Sequence, residues 1–236
     1  MSKKIFIDCG AHEASSLEFF LKNFPNAEEY ETHSFEINTD FAKYFEKYTA
    51  KEQHYFYPKA VWIEDGVINF WKMGEESSTV ADYHKGSASS QAPCIDLSSW
   101  IKSNFTDEDH IVLKMDVEGA EFSILPKMFK DGTMGMVNQF FAEFHYEKRK
   151  NTNIELSLSI LENLLFKYGI VPYRWDATGT DPSCDKVELD WRLGRDLEKE
   201  DRNSDFGQRW QKIKDYIGFE KYIRGQPIYY TNTKGE

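Results

Sequence analysis

Residues 5–10 read Ile-Phe-Ile-Asp-Cys-Gly, and a second apolar stretch closes on Glu36. An apolar strand ending in an acid and a tight glycine turn, then a helix and another strand ending in an acid, restricts the fold. It calls for an open α/β sheet that takes its ligand beyond the carboxyl ends of its strands. The rest of the chain keeps that alternation. The pattern predicts seven sheet strands, over 4–8, 31–36, 55–61, 110–117, 137–144, 169–175 and 227–231. Leu17, Phe20, Leu21 and Phe24 mark one face of a helix over 15–24, stopped by Pro25 and Asn26. Phe41, Tyr44, Phe45 and Tyr48 mark a second, Leu97, Trp100 and Ile101 a short third, and Ile154, Leu158, Leu161 and Leu165 one over 154–168. Asp65-Gly66 predicts a hairpin joining the third strand to residues 67–72, and residues 74–92, rich in Ser and Gly, read as a loop. The expectation is one domain over 1–236, a Rossmann-like, mainly parallel sheet with helices on both faces. An insertion over 176–224 precedes the last strand, where Phe206, Trp210, Ile213 and Ile217 fit an amphipathic helix. That insertion is placed to cap an acceptor site or simply to pack on the sheet.

The turn after the first strand says what the cleft holds. A dinucleotide fold needs an uncharged, glycine-rich turn so that backbone can approach a diphosphate. Here Gly10-Ala11-His12-Glu13-Ala14 offers one fitting glycine, and Asp8 and Glu13 would repel phosphate. A cationic ligand suits them, and S-adenosylmethionine, with a sulfonium and an ammonium, is one. A nicotinamide-dependent oxidoreductase is disfavoured on the same ground. Glu36, with Ile37 beside it, is placed to accept hydrogen bonds from ribose hydroxyls, and Ala60 and Val61 end the third strand where an adenine would lie.

The stretch Leu113-Lys114-Met115-Asp116-Val117-Glu118-Gly119-Ala120-Glu121 is too polar for an arbitrary buried strand. A buried lysine needs a partner. Strand alternation puts Lys114 and Asp116 on one face, with Glu118 continuing the line. Gly119 permits a tight turn into a helix that Pro126 limits or kinks. Past the next strand stand Glu143 and His145. His145, whose unperturbed pKa is near neutrality, is the candidate general base, and Glu143 would orient it or bind a substrate hydroxyl. Asp116 and Glu143 are two oxygen ligands from which a magnesium or calcium site could start. Trp191 and Trp210 are candidates for stacking on a sugar ring, or for the core.

Four segments, in order, resemble the FkbM-type methyltransferases: Ile-Asp-Cys-Gly-Ala-His at 7–12, Ser-Phe-Glu at 34–36, Ile-Asp-Leu at 95–97 and the 113–121 stretch. The resemblance spans about residues 4–145. It implies a class I methyltransferase fold, S-adenosylmethionine as methyl donor and O-methylation of sugars or other hydroxyl-bearing metabolites. It implies donor contacts at Asp8, Gly10, Ala11, His12, Glu13, Glu36 and Asp116, and small polar residues near the donor at Ser77 and Ser78. His12 stands where the family usually has Asn, and Ala14 where it usually has Gly. The alternatives are the same chemistry on a non-carbohydrate small molecule, and a protein that holds the adenosyl ligand without turnover.

Composition sets the outer limits. With 29 Lys and Arg against 40 Asp and Glu, the net charge is −11, which excludes nucleic acid as the expected partner. Three widely spaced cysteines, Cys9, Cys94 and Cys184, suggest neither a disulfide framework nor a zinc site, and a reducing compartment is expected. No apolar run approaches the ~20 residues of a membrane span, and no signal peptide precedes the first strand. A soluble, cytoplasmic protein is expected.

Overall fold

The computed structural model describes residues 2–72, 77–79, 90–146, 154–175, 193, 196–197 and 199–217. In chain order the elements are β1 (Lys4–Cys9), α1 (Ser15–Asn23), β2 (Tyr30–Phe35), α2 (Glu46–Thr49), β3 (His54–Tyr57), β4 (Ala60–Trp62), β5 (Gly66–Phe70) and β6 (Ser90–Asp96). There follow α3 (Leu97–Asn104), β7 (His110–Met115), α4 (Glu121–Asp131), β8 (Val137–Ala142), α5 (Ile154–Glu162), β9 (Pro172–Arg174) and α6 (Asp205–Ile217). Six strands form one sheet in the order β3-β2-β1-β7-β8-β9, and every pair in it is parallel. This is the expected α/β architecture, a parallel sheet flanked by helices. The seventh strand, expected over 227–231, lies outside the described residues.

Alternation along β1 and β7 builds two cores. Ile5, Ile7 and Cys9 face one side with Ile111, Leu113 and Met115, against Leu97, Ile101, Leu125 and Met128 of α3 and α4. Phe6 and Val112 face the other, against Leu17 and Phe20 of α1. The Phe6 and Phe20 rings stack with centroids 3.9 Å apart. Pro126 sits inside α4 without ending it.

Four expectations are corrected. Ala60 and Val61 do not end the third strand: β3 stops at Tyr57, and β4 joins a separate sheet ordered β4-β6-β5. The Asp65-Gly66 turn does not close a hairpin, because β6 stands between β4 and β5, parallel to the first and antiparallel to the second. β6 begins at Ser90, inside the expected loop, and carries Pro93. The helix expected around residues 41–48 is a 3-10 segment over Thr39–Tyr44 followed by the single turn of α2.

Of the insertion over 176–224, α6 is the main described part. Trp210, Ile213 and Ile217 pack on Leu158, Leu161 and Leu165 of the α5 region. Arg209 holds Glu162 through two hydrogen bonds, of 2.9 and 2.8 Å, and reaches Glu155 at 2.6 Å. Trp210 is thus a core residue rather than a platform for a sugar, and Trp191 lies outside the described residues. Among the described residues no helix is long and apolar enough to cross a membrane.

The carboxyl end of β1 meets that of β7 through one buried cation. Asp8 pairs with Lys114 in register, and both are buried. Lys114 Nζ donates to the Gly10 carbonyl at 2.7 Å and lies 3.4 Å from both Asp8 Oδ1 and Asp116 Oδ2. Burial alone would push the ammonium pKa down; Asp116 and Asp8 outweigh it and hold Lys114 charged. Burial pushes the Asp8 carboxyl up, against the pull of Lys114. Gly10 makes this closeness possible. Its φ is +81°, and a Cβ there would meet the Asp116 carbonyl oxygen at 1.8 Å.

Two outcomes are expected. Gly10→Ala should lose ~2–4 kcal/mol of stability by urea denaturation, through a clash with backbone and a disfavoured φ; a loss under about 1 kcal/mol would mean the turn yields. Lys114→Met should cost ~3–5 kcal/mol, because it strands a buried carboxylate. Asp8→Asn combined with Lys114→Met should recover at least half of that, whereas additive losses would mean that the pair is not coupled.

Candidate active site

The sheet ladder extends one residue beyond three strands, and each of those residues is an acid. Glu36 N donates to Tyr57 O at 3.1 Å, Asp116 N to Cys9 O at 3.0 Å and Glu143 N to Met115 O at 2.9 Å. The main chain therefore fixes three carboxylates along the carboxyl edge. Gly10 N and Ala11 N both donate to Phe35 O at 3.0 Å, which curls the turn after β1 toward the end of β2.

A cavity of about 270 Å³ opens there. Of the residues singled out from the sequence, Gly10, His12, Glu36, Ile37, Ala60, Val61, Lys114, Asp116, Glu118 and Glu143 line it. Asp8, Ala11, Glu13, Ser78 and His145 are not in its lining. Asp8 is fully buried toward Lys114, Ala11 belongs to the core beside α1, and Glu13 faces solvent. Ser78 turns its hydroxyl to the Glu118 carbonyl at 2.7 Å, while Ser77 and Thr79 face the cavity.

Glu36 is the most fixed acid of the lining. Oε2 accepts from His12 N at 2.8 Å and Oε1 from Asn38 N at 2.7 Å. A carboxylate has about four lone-pair directions, so about two remain for a ligand. Burial pushes its pKa up, and the Asn38 and His12 amides pull the other way. His12 has φ +47° and Ala14 φ +66°. Both are left-handed positions, which Asn and Gly adopt most readily. The two residues at which this chain departs from the family pattern are thus the two that carry strain in the turn. The turn still closes, with the His12 amide on Glu36 and the His12 ring edge-on to Phe41 at 4.5 Å.

Around His145 the structure adds a residue and corrects a role. Glu121, fully buried at the start of α4, accepts from Val117 N at 2.9 Å and meets His145 Nδ1 at 3.1 Å. His145 Nε2 faces Glu118 Oε2 at 3.4 Å, Asp116 Oδ1 at 3.8 Å and Glu143 Oε1 at 3.9 Å. Burial alone would lower its pKa; Glu121 first, then Asp116 and Glu118, outweigh burial and raise it to about 10. The carboxylates around His145 thus favour its protonated form over the neutral base expected from an unperturbed imidazole. Glu118 reaches this group by a turn rather than by strand alternation: β7 ends at Met115, and Glu118 has φ +57°.

Several lining residues escape the sequence reading, among them Phe41, Lys59, Ser16 and Trp175. Phe41 and Trp175 look like core aromatics in the sequence, and no spacing marks Lys59. Glu121 carried a signal, an acid at the first turn of a helix inside the polar stretch, but nothing in the sequence links it to a histidine 24 residues later.

No curated protein matches this chain. Among solved structures, it is similar to methyltransferase FkbM from Methylobacillus flagellatus KT, with 15% identity and a TM-score of 0.43. That likeness covers 68% of this chain and 37% of the other, so the chain spans little more than a third of that protein's length. The family model described as "Methyltransferase FkbM domain" matches residues 2–168, well over half of the chain, from before β1 through the helical segment Asn163–Lys167 and its cap Tyr168. The chain belongs to the FkbM methyltransferase-domain family.

Proposed function

We propose that the chain is an S-adenosylmethionine-dependent O-methyltransferase acting on a hydroxyl of a sugar or similarly hydroxyl-rich small molecule. The observation that carries the reading is Glu36, held by two backbone amides at the edge of the cavity with acceptor capacity to spare. The lining fits the donor. Glu36, Asp116, Glu118 and Glu143 outnumber Lys59 and Lys114, which suits a ligand bearing sulfonium and ammonium charges and no phosphate. Ile37, Ala60 and Val61 give an apolar wall beside Glu36 for a base ring.

When bound, S-adenosylmethionine supplies an electrophilic methyl group on sulfur. The residues of this chain orient the partners and take the proton. Glu36 binds the ribose hydroxyls. Lys114 holds Asp116 in place from behind, so the carboxylate neither swings nor needs solvent to offset its charge. Glu143, which lines the cavity where His145 does not, accepts the proton that leaves the acceptor hydroxyl. An acidic lining also accepts hydrogen bonds from several hydroxyls at once, which supports a sugar-like acceptor. The free, buried Cys9 and Cys94 support action in a reducing, intracellular compartment.

Titration calorimetry with S-adenosylmethionine and S-adenosylhomocysteine tests this first. Micromolar binding is expected, weakened by ~1–3 kcal/mol in Glu36→Ala. A folded protein that binds neither, with or without divalent cations, would sink the reading. Transfer of labelled methyl to a panel of sugars and of non-carbohydrate alcohols then separates the acceptor classes, and Glu143→Gln should lower turnover ~100-fold with donor affinity kept.

A further inference from the structure

His145 Nε2 lies among carboxylates without a short hydrogen bond to any of them. Its residue is 8% exposed, and its other nitrogen is committed to Glu121, itself fully buried and pinned by the Val117 amide. Three carboxylates converge on Nε2, yet all stand at 3.4–3.9 Å, beyond the usual hydrogen-bond range of about 2.7–3.2 Å. One atom each from Asp116, Glu118 and His145 fits within 4.8 Å of the others. Ligands around one octahedral ion at ~2.1 Å stand about 3 Å apart when adjacent and about 4.2 Å apart when opposite. The three groups stand somewhat wider than that, and a small inward turn of the two acid side chains would bring them to it. Asp116 and Glu118 also line the cavity, so an ion held there is open to whatever the cavity binds.

We propose that Asp116, Glu118 and His145 Nε2 form a divalent-cation site at the wall of the cavity, with Glu121 as the positioning residue behind the histidine. A histidine that ligates a metal through one nitrogen commonly gives its other N–H to a carboxylate, and Glu121 occupies that place. Two carboxylates outnumber one imidazole, which suits manganese, a metal that takes both ligand types, while magnesium and zinc can compete for such a set. Lys114 stays outside the ligand set, balancing the far oxygen of Asp116 at 3.4 Å. Glu143, at 3.9 Å from Nε2 and half exposed, is the side chain next to the open positions. In the ion's absence the Nε2 proton offsets the same carboxylates; the ion replaces it. The site rests on these residues alone. Its role rests on the methyltransferase reading: open positions on the ion would take an acceptor hydroxyl and ease loss of its proton to Glu143 or water.

Manganese binding to the EDTA-stripped full chain, followed by the paramagnetic resonance signal of free Mn²⁺ and by calorimetry, tests the site. One Mn²⁺ per chain at micromolar concentration is expected, competed by Mg²⁺. Glu118→Gln and His145→Ala should each weaken it at least 30-fold, and Glu121→Gln about 10-fold. If His145→Ala does not fold by circular dichroism, Glu118→Gln decides the matter. No binding below millimolar Mn²⁺, or binding that survives Glu118→Gln in a folded protein, would overturn the proposal. Donor binding is measured on the stripped protein in parallel. S-adenosylmethionine binding without Mn²⁺ binding removes the cation site and keeps the methyltransferase reading; the reverse keeps the site and removes its role.

Discussion

A single buried ammonium organises the carboxyl edge of this sheet. Lys114 touches Asp8 on the neighbouring strand, the carbonyl of Gly10 in the turn, and Asp116 at the end of its own strand. A lysine in that position is costly unless its charge is met, and the surroundings meet it with two carboxylates and a main-chain oxygen. The outcome is geometric. The β1 turn is drawn down onto β7 until Gly10 has no room for a Cβ, and Asp116 is left with one oxygen turned inward and the other toward His145. The cavity, the turn that caps it and the acid cluster at its wall share this contact.

Acids could crowd here only because their main chains are not free to separate. Glu36, Asp116 and Glu143 each sit one step past a strand with the amide held by the adjacent strand. Mutual repulsion would spread flexible side chains on a loop, but it cannot move residues that still belong to the ladder. The strain that remains appears as left-handed backbone at His12 and Glu118, which line the cavity, and at Ala14 in the same turn as His12.

Much of this architecture is legible in the residues. The alternation of Ile5, Phe6 and Ile7 places the two cores, and the polar 113–121 stretch places the site, because buried charge in a strand has few explanations. β6 is hidden for a physical reason. Pro93 and the polar Ser90 and Gln91 look unlike a central strand, and only two flanking partners supplied by tertiary structure make one of them. His145 is hidden in another way. Its position just past β8 is readable, but its charge depends on Glu121, Asp116 and Glu118, and their convergence depends on a turn at Glu118 that strand alternation does not foresee.

The interposed β6 has a kinetic consequence. The two strands flanking the Asp65-Gly66 turn cannot zip together as a local hairpin, since each takes its partner from some 20 to 34 residues further along. Ala60 and Val61, which wall the cavity, find Cys94 and Ile95 only after that longer loop has closed. Loop closure costs chain entropy before the contacts repay it. Both walls therefore wait for strands distant in the chain: the turn on β1 for Lys114, 104 residues away, and the patch on β4 for Cys94 and Ile95 of β6.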